Sequence, residues 1–261
     1  MQLELRGKTA VVTGASKGIG RAVAGALGAE GCALHLVSRN QAVLEQAANE
    51  IHTQHGVAVQ VHALDLARSA DAARLLERTG PADILINNAG AIPAGDLLAV
   101  DETRWRVAWD LKVFGYINLA RSYYAAMREK KRGVIVNVTG LAADRLDAGY
   151  IAGSTGNAAL NAFSRTLGGV SLEDGVRVLA VSPGAVATDR IVTLLRHRAS
   201  ERFGDPERWQ DLLRSLPQGR AATVEEVADV VVFAASARAS YLSGIVINVD
   251  GGHSARTPVL G

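Results

Sequence analysis

Thr13-Gly14-Ala15-Ser16-Lys17-Gly18-Ile19-Gly20 decides the reading of this chain. An apolar run at 9–12 leads straight into it, and a helical pattern over 19–29 leaves it. Glycine is needed there on two counts. The turn takes backbone angles that side chains forbid, and the main chain must come close to what it cradles. A helix starting behind such a turn aims its unbonded N–H groups and positive dipole end at one point, which suits phosphate. A glycine triplet alone is weak; set between a first strand and a helix it reads as a dinucleotide cradle.

Outward from the turn, short apolar runs at 33–37, 57–63, 84–86, 134–138, 176–181 and 245–249 alternate with helical stretches at 40–54, 69–79, 101–130, 153–172 and 223–236. The runs are apolar throughout rather than alternating, as in strands covered on both faces. This predicts an α/β fold: a Rossmann-type doubly wound parallel sheet of about seven strands with helices on both faces. One domain over 1–261 is expected. The stretch 189–222 is too long for a plain turn and predicts a substrate lid.

Composition removes several function classes. Lys and Arg total 28 against 26 Asp and Glu, a net charge of +2. The one basic cluster, Arg128, Lys130, Lys131 and Arg132, falls at a predicted helix end, where cations complement the dipole. No nucleic-acid face is expected. Cys32 is the single cysteine, which excludes an internal disulfide and a cysteine metal site. His52, His55 and His62 lack ligand spacing, so no metal is expected. No apolar run reaches the ~18 residues of a membrane span. Residues 1–8 are too charged for a secretory signal, which predicts a cytoplasmic protein.

The run at 33–37 is followed by Ser38-Arg39-Asn40. An NAD-preferring site usually carries an acidic residue here for the ribose hydroxyls. Arg39 and Lys17 instead suit a 2′-phosphate, which predicts NADP(H) over NAD(H). The expected cofactor contacts at this end are Gly14, Ser16, Lys17, Gly18, Ile19, Gly20, Ser38 and Arg39.

With these motifs in place, the chain resembles the short-chain dehydrogenase/reductase family over nearly its whole length. The matching segments are the turn, Asp65-Leu66, Asn87-Asn88-Ala89-Gly90, Pro183-Gly184-Ala185-Val186-Ala187-Thr188 and Val249-Asp250-Gly251-Gly252. The resemblance implies that Asp65, with Leu66, meets the adenine. It implies that Asn88, Ala89 and Gly90 support the cofactor, and that Pro183, Gly184, Val186 and Thr188 meet the nicotinamide end. It also implies a homotetramer or homodimer joined through the long helices at 101–130 and 153–172.

The family's redox chemistry uses a serine, a tyrosine, a lysine four residues after the tyrosine, and an asparagine on an earlier helix. The register of this sequence puts Gly140, Gly153, Asn157 and Asp110 in those places, which makes it an atypical member. Tyr150 and Thr139 are the candidate catalytic hydroxyls; without a neighbouring cation the Tyr150 phenol stays protonated at neutral pH. Lys112 is a candidate replacement cation, the alternatives being a pair with Asp110 or a solvent-facing charge. Asn157 can still hydrogen-bond ribose hydroxyls.

The lid holds Arg190, Arg196, Arg198, Arg202, Arg208, Arg214 and Arg220 among five acidic residues. Most read as surface ion pairs. One or two facing the cleft would clamp an anionic small-molecule substrate. Trp209, Leu212 and Leu213 either close over the pocket or fill the lid's own core. The expected function is an NADP(H)-dependent oxidoreductase acting on a carbonyl/alcohol pair or an activated double bond. The alternatives are a dinucleotide-binding sensor or partner subunit with little redox activity, and a lyase or isomerase.

Overall fold

A computed structural model of the chain describes residues 2–256, without the side chain of Arg190, so the part of the lid reading that rests on Arg190 lies outside the described residues. Thr9–Thr13 forms β1, buried from Ala10 onward. The other strands are β2 (Ala33–Ser38), β3 (Val59–Ala63), β4 (Ile84–Asn87), β5 (Gly133–Val138), β6 (Val176–Pro183) and β7 (Val246–Val249). Among the described residues they form one seven-stranded sheet in the order β3-β2-β1-β4-β5-β6-β7. Every neighbouring pair is parallel. Chain order reverses at β1, which lies between β2 and β4. A crevice opens at such a switch point, beyond the C-terminal strand ends, and ligands bind there.

The unbroken apolar runs have a direct cause. Ala10 and Val12 of β1 pack into a layer with α1 (Gly18–Ala29), α2 (Gln41–His55) and α9 (Val224–Ala235). Val11, between them, packs into the opposite layer with α3 (Ser69–Thr79), α5 (Gly115–Glu129) and α6 (Ile151–Gly168). In β5, Val134, Val136 and Val138 face the first layer and Ile135 the second. Side chains still alternate, but both faces are interior. Local caps fix the helix ends: Asn40 Oδ1 accepts the Val43 N–H at 3.2 Å to start α2, and Gly56, at φ 69°, ends it.

One stretch differs from the sequence expectation. The helical pattern at 101–130 is three pieces: α4 (Glu102–Trp109), a π-helical turn at Asp110–Phe114, and α5. α5 presses on the segment after β3 so closely that a Cβ on Gly115 would lie 2.9 Å from the Leu66 carbonyl oxygen. The wider turn changes which residues face inward there, and π turns recur at functional sites. The stretch 189–222 is largely helical: α7 (Asp189–Phe203) and α8 (Trp209–Leu213), joined by a short 3₁₀ turn at Pro206–Arg208. Of its described arginines, Arg196 pairs with Glu207, Arg208 and Arg214 with Asp211, and Arg220 with Glu226, while Arg202 lies over the Phe203 ring. Among the described residues no helix is long and apolar enough to cross a membrane.

Candidate active site

A cleft of about 2030 Å³ runs along the C-terminal edge of the sheet, from the glycine turn to the lid. Ordinary small-molecule pockets hold roughly 300–1,000 Å³, so this one has room for a dinucleotide and a small substrate together. At its near end the turn is locked to β4. Thr13 Oγ1 receives the N–H groups of Asn88 and Ala89 at 2.9 and 3.1 Å and donates to the Ile86 carbonyl at 3.2 Å. The Asn88 amide donates to the Thr13 carbonyl at 3.0 Å. Gly20 packs under this turn: a Cβ there would lie 2.3 Å from the Gly14 carbonyl oxygen. α1 begins after Lys17 without a side-chain cap, leaving its first N–H groups to the cleft.

Two buried oxygens beside the cleft lack a protein partner, Ser38 Oγ at the end of β2 and Asn157 Oδ1 on α6. Buried polar atoms are rarely left so. Ribose hydroxyls at those two places would satisfy both, so the residues present fit a nicotinamide dinucleotide. Of the expected cofactor residues, Gly14, Ser16, Lys17, Gly18, Ile19, Ser38, Arg39, Leu66, Asn88, Ala89, Gly90, Asn157, Pro183, Gly184, Val186 and Thr188 border the cleft. Gly20 and Asp65 do not. The Asp65 carboxylate is turned to the Ala67 N–H at 3.3 Å, and Leu64 and Leu66 border the cleft on either side of it.

The far end differs from the sequence register in one place. Asp110, which the sequence register puts in the asparagine's place, is exposed and does not border the cleft. Lys112, two residues on in the π turn, does; it is 8% exposed, so it does not face solvent. A count made at ordinary α-helical spacing misses this, because the π turn shifts the inward face. The Lys112 Nζ donates to the Val138 carbonyl at 2.7 Å and to Tyr116 Oη at 3.1 Å.

Tyr150 lies over Gly153. A Cβ on Gly153 would fall 1.9 Å from Tyr150 Cε1 and 2.1 Å from Cζ, so the ring fills the space where a side chain at 153 would begin. The phenol end therefore lies near the level of that Cβ rather than a full tyrosyl length into the cleft. Asn157, 4% exposed, closes on Gly140 in the same manner: a Cβ at 140 would sit 3.2 Å from its Nδ2. Thr139 borders the cleft while its hydroxyl donates to the Val181 carbonyl at 3.4 Å. Behind them, the Asn87 amide donates to Asn137 Oδ1 at 2.9 Å, and the Asn137 amide to Ser164 Oγ at 2.9 Å, tying β4, β5 and α6 together.

Several cleft residues are absent from the sequence reading. Arg145, Asp147 and His253 border the cleft. The Arg198 guanidinium of α7 pairs with the Asp147 carboxylate, joining lid to floor. Arg145 Nη1 donates to the His253 carbonyl at 3.2 Å. Burial, then Arg145 and Arg256, holds the His253 imidazole below its ordinary pKa. The only sequence signal for this group is the charge in 144–147 opposite an arginine-rich lid.

Comparison with known proteins points one way. A family model described as enoyl-(acyl carrier protein) reductase matches residues 14–254. The chain is 33% identical to galactitol 2-dehydrogenase (L-tagatose-forming) of Cereibacter sphaeroides, over 96% of each chain. It is 33% identical to the short-chain reductase protein NovJ of Streptomyces niveus, over 93% of this chain and 92% of the relative. Among solved structures, L-sorbose reductase of Gluconobacter frateurii, complexed with NADPH and L-sorbose, superposes with a TM-score of 0.89 at 31% identity, covering 98% of this chain and all of that one.

Proposed function

This chain belongs to the short-chain dehydrogenase/reductase family, and from that premise we propose an NADP(H)-dependent oxidoreductase with an altered proton-handling end, acting on the carbonyl/alcohol pair of a small polar molecule. The observation that carries this reading is the single cleft joining the glycine turn, the orphaned oxygens of Ser38 and Asn157, and the hydroxyl-bearing Thr139 and Tyr150. Bound nicotinamide would supply or accept hydride. The chain's own residues bind and orient. Asn157 holds ribose hydroxyls, Thr139 and Tyr150 border the substrate oxygen, and α7 screens it from water.

Arg39 supports the preference for NADP(H): it is exposed at the end of β2, beside the cleft, with Lys17 across the turn and no carboxylate at 38–40. Arg198, which borders the cleft, is held by Asp147, which favours an uncharged oxygenated substrate over an anion beside it. Relatives named for galactitol and L-sorbose act on molecules of that kind. The apolar surface of α5 and α6, with Ile117, Tyr124, Phe163 and Leu167 around one depression and Phe114 exposed nearby, supports a homotetramer or homodimer. Sedimentation velocity tests that part.

A second reading, a dinucleotide-binding protein without turnover, is favoured by one observation: Gly153 and Asn157 stand where the family's tyrosine and lysine were expected. Calorimetric titration with NADPH and NADH, followed by turnover of ketoses and polyols read at the nicotinamide absorbance, separates the two. Tighter NADPH with turnover supports the oxidoreductase. NADPH binding with no turnover across the panel supports the second reading, and no binding of either cofactor defeats both.

A further inference from the structure

On the oxidoreductase reading, we propose that Lys112 supplies the positive charge of this site, delivered from the π turn between α4 and α5 instead of from α6. Three observations meet here. The Lys112 stem lies across Gly90, in the segment after β4 that borders the cleft, so closely that a Cβ on Gly90 would be 2.6 Å from its Cδ. Its ammonium is anchored at the end of β5 by the Val138 carbonyl at 2.7 Å and Tyr116 Oη at 3.1 Å, and lies 4.9 Å from the Tyr116 ring centre. Tyr116 Oη itself donates to the same carbonyl at 3.1 Å, so phenol and ammonium are held on one acceptor. Val138 leads directly into Thr139 and Gly140, and Gly140 abuts Asn157. The charge is therefore carried to the strand end that the amide of Asn157 also reaches.

Placing an ammonium there is costly. Burying a lysine charge carries a desolvation penalty even after relaxation, and a methionine of similar length would fill the channel over Gly90 without that penalty. A charge kept at the edge of a cleft instead acts on whatever oxygen atoms enter it. Fixed cations in a site shielded from water act more strongly than in bulk solvent and need no reorganisation. Lys112 is not asked to release a proton in this role. It is a fixed charge at the nicotinamide end of the cleft, steadying ribose hydroxyls and the substrate oxygen, while Asn157 provides hydrogen bonds without charge. Tyr116 is its positioning residue: deeply buried, it holds the ammonium and meets neither ligand.

The test moves the charge between helices. Lys112→Met is expected to fold and to weaken the dissociation constants of the cofactor-free protein for NADPH and NADH by a similar factor, about tenfold, since the ribose is common to both. Turnover is expected to fall further than binding. Adding Asn157→Lys to Lys112→Met restores a cation from α6 and is expected to recover most of the lost affinity. A lysine serving only as a strut gives another pattern: lowered melting temperature, cofactor affinity within twofold of wild type, and no rescue by Asn157→Lys. That pattern overturns the proposal. Should the Met variant be insoluble, Lys112→Gln keeps a donor for the Val138 carbonyl and gives the same readout. Wild-type protein that binds neither cofactor defeats the oxidoreductase reading and this inference with it; binding indifferent to Lys112→Met defeats the inference alone.

Discussion

Gly153→Ala adds one methyl group, and its effect follows from the contact already described. The new Cβ would lie 1.9, 2.1 and 2.5 Å from three ring atoms of Tyr150. Carbon atoms at rest sit about 3.5–4.0 Å apart, so the overlap approaches 2 Å. An aromatic ring cannot flex to relieve that, and the side chain must swing away from α6. It would leave its packing against Ile92, Ala108 and Ala152, beside Trp105. Tyr150 is half-buried; half of an aromatic side chain is about 100 Å², or roughly 2.5 kcal/mol at ~25 cal/mol/Å². Replacing glycine by alanine within a helix returns up to about 1 kcal/mol, less near the N-terminus of α6. The expected net loss is about 2 kcal/mol, measured by urea unfolding. The decisive form is a double-mutant cycle with Tyr150→Ala. Once the ring is gone, Gly153→Ala is expected to be neutral or stabilising, giving a coupling of about 2 kcal/mol. A coupling below ~0.5 kcal/mol, near the limit of additivity, would refute the claim that the two positions share one volume. The same clash bears on restoring the family's tyrosine at 153: that variant needs Tyr150 removed first.

Other outcomes follow from the same geometry. Arg39→Ala is expected to weaken NADPH by about tenfold and leave NADH unchanged, in competitive binding; equal effects on both would remove the 2′-phosphate role. Gly20→Ala is expected to abolish binding of both cofactors, because its Cβ would meet the Gly14 carbonyl at 2.3 Å and spread the turn; calorimetry checks this. Stability should also depend on pH through two buried imidazoles. His35 Nδ1 and His62 Nε2 share a hydrogen bond at 3.0 Å between β2 and β3. Burial lowers both pKa values, that of His62 to about 4, with His35 and Arg78 adding to the effect. Unfolded histidine takes up its proton near 6.5, so between pH 6.5 and 4 the unfolded state binds more protons and stability falls as the pH falls. The loss attributable to His62 approaches about 3 kcal/mol at the acid end. Urea midpoints across that range should follow this slope, and His62→Gln should flatten it; a flat wild-type profile would contradict the assignment.

What could be read in advance divides by which part of the residue carries the function. Where the backbone does the work, the sequence shows it. The phosphate turn needs Gly14, Gly18 and Gly20 at fixed spacing, and no other residue type substitutes at the close approach of Gly20 to Gly14. The parallel sheet was legible for a related reason: strands sandwiched between two helical layers, as Val134, Ile135 and Val136 are, must be apolar at consecutive positions. Where side chains do the work, spacing along the chain is a poor guide. Asp110 and Lys112 lie two residues apart in a stretch that reads as one continuous helix. Only the π turn, which accompanies the packing of Gly115 on Leu66, decides that Lys112 faces the cleft and Asp110 the solvent. Tyr150 poses the same difficulty. It lies three positions before Gly153, at the N-cap of α6, and its value to the site depends on the ring folding back over Gly153. On the proposed reading, the glycines at 140 and 153 are legible in the sequence and what lies over them is not, because a position without a side chain leaves a volume, and volumes are filled by neighbours in space. An atypical site of this kind is therefore best read by asking which ring, amide or ammonium has moved into each vacated volume. On the proposed reading the answers for this chain are Tyr150 over 153, the Asn157 amide against 140, and Lys112 as the charge beside them.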